Sequence, residues 1–151
     1  MPQSLARIWI HLVFSTKNRH PFLKDVDIRE DLHRYLANCL KTLHSPALII
    51  NGTEDHAHSL FNLSRNHAIK TIVGEIKSDS SKWIKKLDPS LRDFAWQRGY
   101  GAFSVSQSNL EKVQAYIRDQ EQHHKGMTFQ EEFRRICAQH GVELDERYAW
   151  D

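Results

Sequence analysis

Apolar residues occupy every second position from Ile8 to Phe14 near the start of the chain. Because a β-strand turns successive side chains to opposite faces, this alternation predicts a first strand. The basic segment 17–21 follows and is expected to form a loop closed by Pro21. Helical spacing then begins, with Asp25 or Asp27 available as the N-terminal cap. The residues on its apolar stripe are Ile28, Leu32, Tyr35, Leu36, Cys39 and Leu43.

The middle of the chain predicts two strands and a second helix. Segment 47–50 is apolar enough for a buried strand, and Asn51-Gly52 after it is typical of a turn. Segment 56–63 is predicted as the next strand. The following helix is expected to end at Asp88-Pro89-Ser90. Its apolar stripe consists of Ile69, Ile72, Val73 and Ile76, continued by Trp83 and Ile84.

The last third predicts one strand and two helices. Segment 100–106 is expected to be a short strand, and Ser108 or Asn109 can cap a helix starting at Leu110. We expect that helix to contain both Tyr116 and Gln120. Thr128 and Glu131 form a capping box for a last helix, which Gly141 would terminate. The inward residues of that helix are predicted to be Phe129, Phe133, Ile136 and Cys137.

The predicted order of the first six elements is strand, helix, strand, strand, helix, strand. This order is typical of an α+β, ferredoxin-like split-βαβ fold, an antiparallel sheet with two helices on one face. The added C-terminal helix that carries Tyr116 can then cross the uncovered face. We expect one domain over residues 1–151, with a core at about 5–125 and a helical extension at about 126–151.

Composition places the chain among ordinary globular proteins. Apolar residues make up 40% and charged residues 26%, and the net charge is only +2. A nucleic-acid-binding protein with this balance must concentrate positive charge on one surface. The two cysteines, Cys39 and Cys137, are expected to be buried free thiols in a reducing cytosol. Since the chain shows neither a signal peptide nor a long apolar run, we expect a soluble, cytoplasmic protein.

Two short motifs carry candidate chemistry. His56 and His58 lie two residues apart on a predicted strand and would project side by side. Tyr116 and Gln120 lie four residues apart on a predicted helix and would share a face. Two imidazoles, an amide and a phenol that converge are the parts of a metal-assisted, tyrosine-dependent site for phosphodiester cleavage.

Each motif also has a plainer interpretation. A lone helical tyrosine is usually a half-buried packing residue, and paired histidines on a strand are often structural. Other candidates for the third metal ligand remain open, namely Glu54, Asp55, His123 and His124. Tyr100 is a second candidate nucleophile, although it lacks a glutamine partner. Three tryptophans could stack on a base, but core packing is the stronger expectation for Trp9, Trp83 and Trp96.

The motifs together resemble a known family, the single-tyrosine HUH transposases, which include insertion-sequence transposases and repeat-associated tyrosine transposases. The resemblance covers nearly the whole chain in the family's order. The residues that carry it are His56-Ala57-His58, Trp96-Gln97-x-Gly99 with Tyr100-Gly101-Ala102-Phe103-Ser104-Val105-Ser106, Tyr116-Ile117-x-x-Gln120-x-x-His123-His124, Phe129-x-x-Glu132-Phe133, His140-Gly141-Val142 and Tyr148-Ala149-Trp150. The middle HUH residue is usually bulky. Here it is Ala57, whose side chain should point toward the core.

The resemblance implies specific roles. Tyr116 would be the nucleophile, and His56, His58 and Gln120 would bind one divalent metal, with Mg or Mn most expected. The substrate would be single-stranded DNA with hairpins at the ends of an element, cleaved through a 5′-phosphotyrosine intermediate. A homodimer, with active sites that can be shared between subunits, and a nucleoid-associated location in a prokaryote are also implied.

Contacts with the DNA backbone are less specified by the sequence. Our candidates are Lys17, Arg19, Arg65, Lys70, Lys77 and Arg98. The lysines of segment 70–86 can equally form the solvated face of a helix. A competing hypothesis is a hairpin-binding protein of the same fold that no longer cuts DNA. A third is a metal-dependent hydrolase that does not use Tyr116.

Overall fold

A computed structural model of the chain describes residues 2–151 and contains one four-stranded antiparallel sheet. The strands lie in the order β2-β3-β1-β4, as the split-βαβ prediction requires. Their bounds are β1 Trp9–Ser15, β2 Ala47–Gly52, β3 His56–Asn62 and β4 Gly101–Val105. The central strands β1 and β3 pair so that Ser15 lies opposite His56 and Trp9 opposite Asn62.

Helices cover both faces of this sheet. Two long helices pack against one face, α1 Val26–Thr42 and α2 Ile69–Leu87. Three shorter helices pack against the other, α3 Leu110–Arg118, α4 Gln120–His123 and α5 Phe129–Gln139. The α+β, ferredoxin-like fold class is therefore confirmed. No helix within residues 2–151 combines the length and apolar character that crossing a membrane requires.

The face under α1 and α2 holds the apolar core. Leu12 and Phe14 of β1 meet Phe61 of β3 there, and all three are almost fully buried. Ala57 belongs to the same cluster, so its side chain points into the core as predicted. The helices contribute Leu32, Leu36, Leu40, Ile72, Ile76 and Ile84. This face follows the alternation read from the sequence.

On the opposite face lie the alternate side chains of the two central strands, β1 and β3. Ile117 of α3 packs on Trp9 and Leu60 in one small cluster. A second cluster joins Val13 and Phe103 to the inward residues of α5, namely Phe129, Phe133, Ile136 and Cys137. We call the side of the sheet covered by α3, α4 and α5 the site face.

Local signals set several helix ends as predicted. The Asp25 carboxylate accepts hydrogen bonds from the backbone N–H groups of Asp27 (2.9 Å) and Ile28 (3.2 Å), capping α1. The Thr128 hydroxyl accepts one from the Glu131 N–H at 3.2 Å, capping α5. Gly141 follows α5 with a φ of 66°, a conformation that favours glycine.

The strand ends at Gly52 as predicted, but Asn51 and Gly52 still belong to β2, so the chain turns only after them. Gly52 is required by a close approach, since a Cβ there would lie 2.1 Å from the His56 carbonyl oxygen. Asn51 donates from Nδ2 to the carbonyl oxygens of Ile117 and Arg118, both at 3.0 Å. Asn51 therefore ties the last turn of α3 to the sheet.

The single helix predicted to carry both Tyr116 and Gln120 is wrong. It breaks at Asp119, so that Tyr116 lies in α3 and Gln120 begins α4. Neither Ser108 nor Asn109 caps α3 through its side chain, because a 3-10 turn at Gln107–Asn109 leads into it. Both cysteines are free, but Cys39 is only half-buried.

Candidate functional site

The two HUH histidines lie at the start of β3 on the site face. Their side chains have no exposed surface. Alternation along the strand places them side by side, with ring centroids 5.1 Å apart. Behind His58, the Nε2 atom of His11 lies 2.8 Å from His58 Nδ1. Behind His56, an oxygen of Asp55 lies 2.7 Å from His56 Nδ1.

Gln120 at the start of α4 and Tyr116 in α3 both reach these histidines. The Gln120 Oε1 atom lies 2.8 Å from His56 Nε2, and Gln120 is fully buried. Tyr116 is half-buried, and its ring centroid lies 5.9 Å from that of His58. The four residues named for catalysis and metal binding from sequence therefore lie together, although the strand and the helices are about sixty residues apart in the chain.

Glu132 of α5 lies at the centre of this cluster and was not predicted. Its Oε1 atom is 2.9 Å from His58 Nε2, 3.3 Å from His56 Nε2 and 3.0 Å from His124 Nε2. Its Oε2 atom accepts hydrogen bonds from the Tyr116 hydroxyl and, at 2.9 Å, from Gln120 Nε2. Glu132 has no exposed surface, so these donors replace all of its hydration.

A sequence signal for Glu132 does exist. Positions 129, 132, 133 and 136 form one stripe along α5, and the other three residues of that stripe are buried and apolar. A carboxylate on an apolar stripe is almost never fully buried unless it is paired. The spacing of α5 therefore indicates a buried partner for Glu132, although not which partner.

Three of these side chains could hold a metal ion. His56, His58 and Glu132 each offer one ligand atom, and these atoms lie within 4.8 Å of one another. Imidazole nitrogen and carboxylate oxygen are both common ligands of divalent cations. Gln120 Oε1 borders the same space. The Asp55 carboxylate contacts Nδ1 of His56, the ring nitrogen on the side away from Glu132. Metal-binding histidines commonly have such a partner on their second nitrogen.

Electrostatics in the cluster favour an ionised Glu132. Burial alone would raise the pKa of its carboxyl group, but His58 and hydrogen bonds from His124 and His56 lower this pKa well below its usual range. Burial alone would lower the pKa of His56, yet Asp55 and Glu132 raise it to about 9. His56 is therefore an imidazolium between two carboxylates when no metal is bound.

The pKa values of Tyr116 and His11 are shifted in the directions that keep both side chains neutral. Burial and the adjacent charge of Glu132 raise the pKa of Tyr116 far above its usual value, so its phenol keeps its proton. Burial, together with the nearby His58, lowers the pKa of His11 to about 3. A neutral His11 retains one nitrogen lone pair.

The competing candidates for the third ligand are differently placed. Only His124 reaches the cluster, through its bond to Glu132. His123 stacks on Tyr116 with ring centroids 4.6 Å apart, and its buried Nε2 atom has no hydrogen-bond partner among the described residues. Asp55 lies behind His56, and Glu54 is exposed.

Tyr100 and the tryptophans lie in other surroundings. Tyr100 precedes β4, and the Lys77 ammonium lies 5.7 Å from its ring centroid. Trp9 and Trp96 are buried in the packing of the sheet. Trp83 stacks on Tyr35 between α1 and α2, with centroids 4.7 Å apart. These contacts favour core packing for all three tryptophans.

Three of the six candidate DNA-binding residues lie at the end of the sheet where β3 begins. Lys17 and Arg98 are exposed and line one cavity of about 400 Å³ together with Asp151. Arg19 lies beside it, and its guanidinium carbon is 5.9 Å from the Trp150 ring centroid. Because Ser15 pairs with His56, this cavity is at the same end of the sheet as the HUH histidines.

Of the remaining three candidates, Arg65 and Lys70 are separated from that end, whereas Lys77 is tied to the segment that carries Arg98. Arg65 and Lys70 are exposed but follow the far end of β3. Lys77 is half-buried, and its ammonium donates to the carbonyl oxygens of Gln97 at 2.9 Å and Gly99 at 2.6 Å. The structure gives Lys77 a role in holding the segment before β4.

Comparison with known proteins gives a consistent set of similarities. The family described as "Transposase IS200 like" matches residues 4–120. A candidate transposase from Deinococcus radiodurans R1 has a similar structure, with a TM-score of 0.65 and 22% identity over 80% of this chain and 95% of its own. A REP-associated tyrosine transposase, solved bound to a REP hairpin, has a TM-score of 0.59 and 13% identity over 82% of this chain and 73% of its own. No curated protein sequence matches the chain. At these identities the two structures show a shared fold.

Proposed function

The chain belongs to the family of IS200-like transposases, and we propose that it cleaves and rejoins single-stranded DNA through a covalent 5′-phosphotyrosine intermediate on Tyr116. One observation carries this proposal. The Tyr116 hydroxyl and Gln120 both bond to Glu132, which also contacts His56 and His58. A nucleophile is thereby held beside a set of metal-binding atoms.

The residues fit a divalent metal. His56, His58 and Glu132 supply ligand atoms, and Gln120 lies close enough to add its carbonyl oxygen. A bound cation, Mg or Mn in our proposal, would offset the charge of the scissile phosphate as a Lewis acid. The chain's own contribution is to fix these atoms on a buried strand and on two short helices.

Tyr116 would make the new bond. Its oxygen attacks phosphorus, the bond from phosphorus to the 3′-oxygen breaks, and the strand leaves with a 3′-hydroxyl. The phenol must lose its proton in this step; a cation held beside it would lower the pKa of the phenol, whose hydrogen bond the Glu132 carboxylate already accepts. The same proton can return to the departing 3′-oxygen. Attack by another 3′-hydroxyl on the phosphotyrosine reverses these steps and rejoins DNA without ATP.

Substrate access requires movement on the site face. His56, His58, Gln120 and Glu132 have no exposed surface in this conformation. A DNA phosphate can therefore reach the histidines only after part of the helical cover on the site face moves. The family match ends at residue 120, so α5 lies outside it.

A DNA strand that enters the site would pass the cavity formed by Lys17 and Arg98. Together with Arg19, these side chains offer positive charge at the end of the sheet nearest the histidines. Arg65 and Lys70 could contact a more distant part of a hairpin. A relative of similar fold was solved with a REP hairpin, and we propose a hairpin-containing element end as substrate here.

We further propose that the chain acts as a homodimer. The strands β2 and β4 are the two edges of the sheet, and either could pair with a second copy. Tyr116 lies beside the histidines of its own chain. Assembly of the site within one chain is therefore geometrically possible, and sharing between subunits would require α3 and α4 to exchange.

The test is a denaturing-gel assay. Labelled single-stranded hairpins would be mixed with Mn²⁺ or Mg²⁺ and with wild type, Tyr116→Phe, His58→Ala or the control Tyr100→Phe. We expect a metal-dependent, denaturant-resistant adduct with wild type and Tyr100→Phe only. Cleavage retained by Tyr116→Phe would indicate a hydrolase, and hairpin binding without any adduct would indicate a DNA-binding protein that no longer cuts.

A further inference from the structure

We propose that His11 is a positioning residue that determines which ring nitrogen of His58 carries hydrogen, and thereby prepares His58 to bind a metal. The inference rests on the proposed metal site and extends it to a residue outside the HUH motif. His11 lies on β1 and reaches the site face because alternate residues of β1 point there.

The contact between the two rings is short and buried. His11 is 5% exposed and His58 is 0% exposed. Nε2 of His11 lies 2.8 Å from Nδ1 of His58, and the ring planes are inclined by only 30°. One of these two nitrogens must carry hydrogen and the other a lone pair, since a hydrogen bond needs one of each.

The present arrangement fixes one of the two possibilities. Nε2 of His58 lies 2.9 Å from the Glu132 carboxylate, which can only accept. Nε2 of a neutral His58 therefore carries the hydrogen, and its Nδ1 atom has the lone pair. His11 must then donate from its own Nε2 atom.

Metal binding requires the opposite arrangement. A metal at Nε2 of His58 takes the lone pair there, so the ring hydrogen must be on Nδ1. His11 then has to accept through Nε2 and carry its hydrogen on Nδ1. Both rings remain neutral and hold one hydrogen each before and after, so the pair changes tautomer together and releases no net proton.

This requirement explains why a histidine suits position 11. A lysine or arginine could only donate to His58, and a carboxylate could only accept from it. A phenylalanine would fill the space without either bond. Glutamine can present its amide nitrogen or its oxygen and is therefore the conservative substitute.

The first test measures metal affinity without DNA. Mn²⁺ binding would be followed by the EPR signal of the free ion for wild type, His11→Phe, His11→Gln and His140→Phe. We expect His11→Phe to weaken binding about 10–100-fold, the usual cost of losing such a supporting bond, and His11→Gln to restore most of it. His140 is exposed and stacks on Phe103, so the control should bind like wild type. A folded His11→Phe variant with wild-type affinity would overturn the proposal.

The second test observes the tautomers directly in the wild-type protein, and so does not depend on how His11→Phe folds. Long-range ¹H–¹⁵N NMR spectra of the histidine rings would be recorded before and after addition of Zn²⁺, a diamagnetic probe. We expect hydrogen on Nε2 of both His11 and His58 before addition and on Nδ1 of both afterwards. An unchanged His11 tautomer would overturn the proposal.

These readouts separate the inference from the proposed function. A joint tautomer change in a protein that forms no DNA adduct would support the role of His11 and contradict the transposase chemistry. Adduct formation without the tautomer change would support the transposase chemistry and contradict the role of His11.

Discussion

The two faces of the sheet are equally buried but differ in chemistry. Under α1 and α2, Leu12, Phe14 and Phe61 pack against apolar side chains. On the site face, the same strands direct His58 at a buried carboxylate and His11 at His58. Apolar packing is non-directional and depends mainly on the area removed from water. The polar cluster instead depends on every donor and acceptor finding its partner.

Because of this difference, defects on the two faces should affect stability and function differently. A defect on the apolar face leaves a cavity whose cost scales with its volume. A defect on the site face leaves charged or polar groups buried without partners, and it also removes the chemistry. Variants at neighbouring positions that point to opposite faces should therefore give different signatures.

The largest effect is expected from Phe61→Ala, which should lower the free energy of unfolding by about 3–5 kcal/mol. Phe61 is fully buried on the apolar face, and urea unfolding would measure the loss. Mn²⁺ affinity, measured on the folded protein, should stay near wild type. Leu60→Ala is the matched variant, since Leu60 is equally buried but packs on Ile117, three residues before Gln120. Leu60→Ala should weaken Mn²⁺ binding as well as stability. Equal Mn²⁺ affinities in the two variants would contradict the difference between the two faces.

Glu132→Gln should cost a comparable amount, about 3–5 kcal/mol, because it leaves the imidazolium of His56 without one of its buried partners. It should also reduce the stabilisation by metal, which for wild type is about 2.7 kcal/mol at one hundred times the Kd. Thermal unfolding with and without Mn²⁺ would measure both effects. Glu131→Gln is the control, since a capping box accepts either residue and Glu131 is exposed. Tighter Mn²⁺ binding by Glu132→Gln would show that Glu132 competes with the metal.

The same contrast explains what the sequence could predict. Strict alternation in β1 and helical spacing in α1 and α2 follow from burying one face of each element, so the fold was predictable from local patterns. Asp25 and Thr128 marked helix starts correctly, since capping depends on residues within one turn. The resemblance to HUH transposases supplied the four residues that the structure brings together.

The parts that were missed depend on contacts between distant segments. Asn51 was taken for a turn residue because nothing near it shows that its amide binds the end of α3. Glu132 was assigned no role because its partners come from β3, α3 and α4. The shared face of Tyr116 and Gln120 was predicted correctly from helical spacing, but the break at Asp119 was not.

A smaller, pH-dependent effect is expected at His33, a polar exception in α1. His33 is 8% exposed, and its Nε2 atom has no partner among the described residues. Burial, and then the charge of Arg29 and of His56, lowers its pKa to about 4. Between pH 6.5 and 4 the unfolded chain therefore binds a proton that the folded protein does not, and stability falls as the pH falls. His33→Leu should flatten the dependence of unfolding free energy on pH in this window, and an unchanged slope would contradict the assignment.

The smallest effect is expected from the ion pair that links the two faces around the end of the sheet. Arg29 of α1 lies 3.2 Å from Glu121 of α4, next to Gln120, but the Glu121 side chain is 69% exposed. Exposed pairs contribute about 0–1 kcal/mol, so Glu121→Ala should change stability by less than about 1 kcal/mol. Arg29→Ala should cost more, because Nε of Arg29 also donates to the buried Leu23 carbonyl oxygen at 2.9 Å. A double-mutant cycle at low and high salt isolates the pair, whose coupling should shrink as salt screens it. A coupling of several kcal/mol that persists in high salt would mean that the apolar face helps to hold Gln120 in place and that the two faces are not independent.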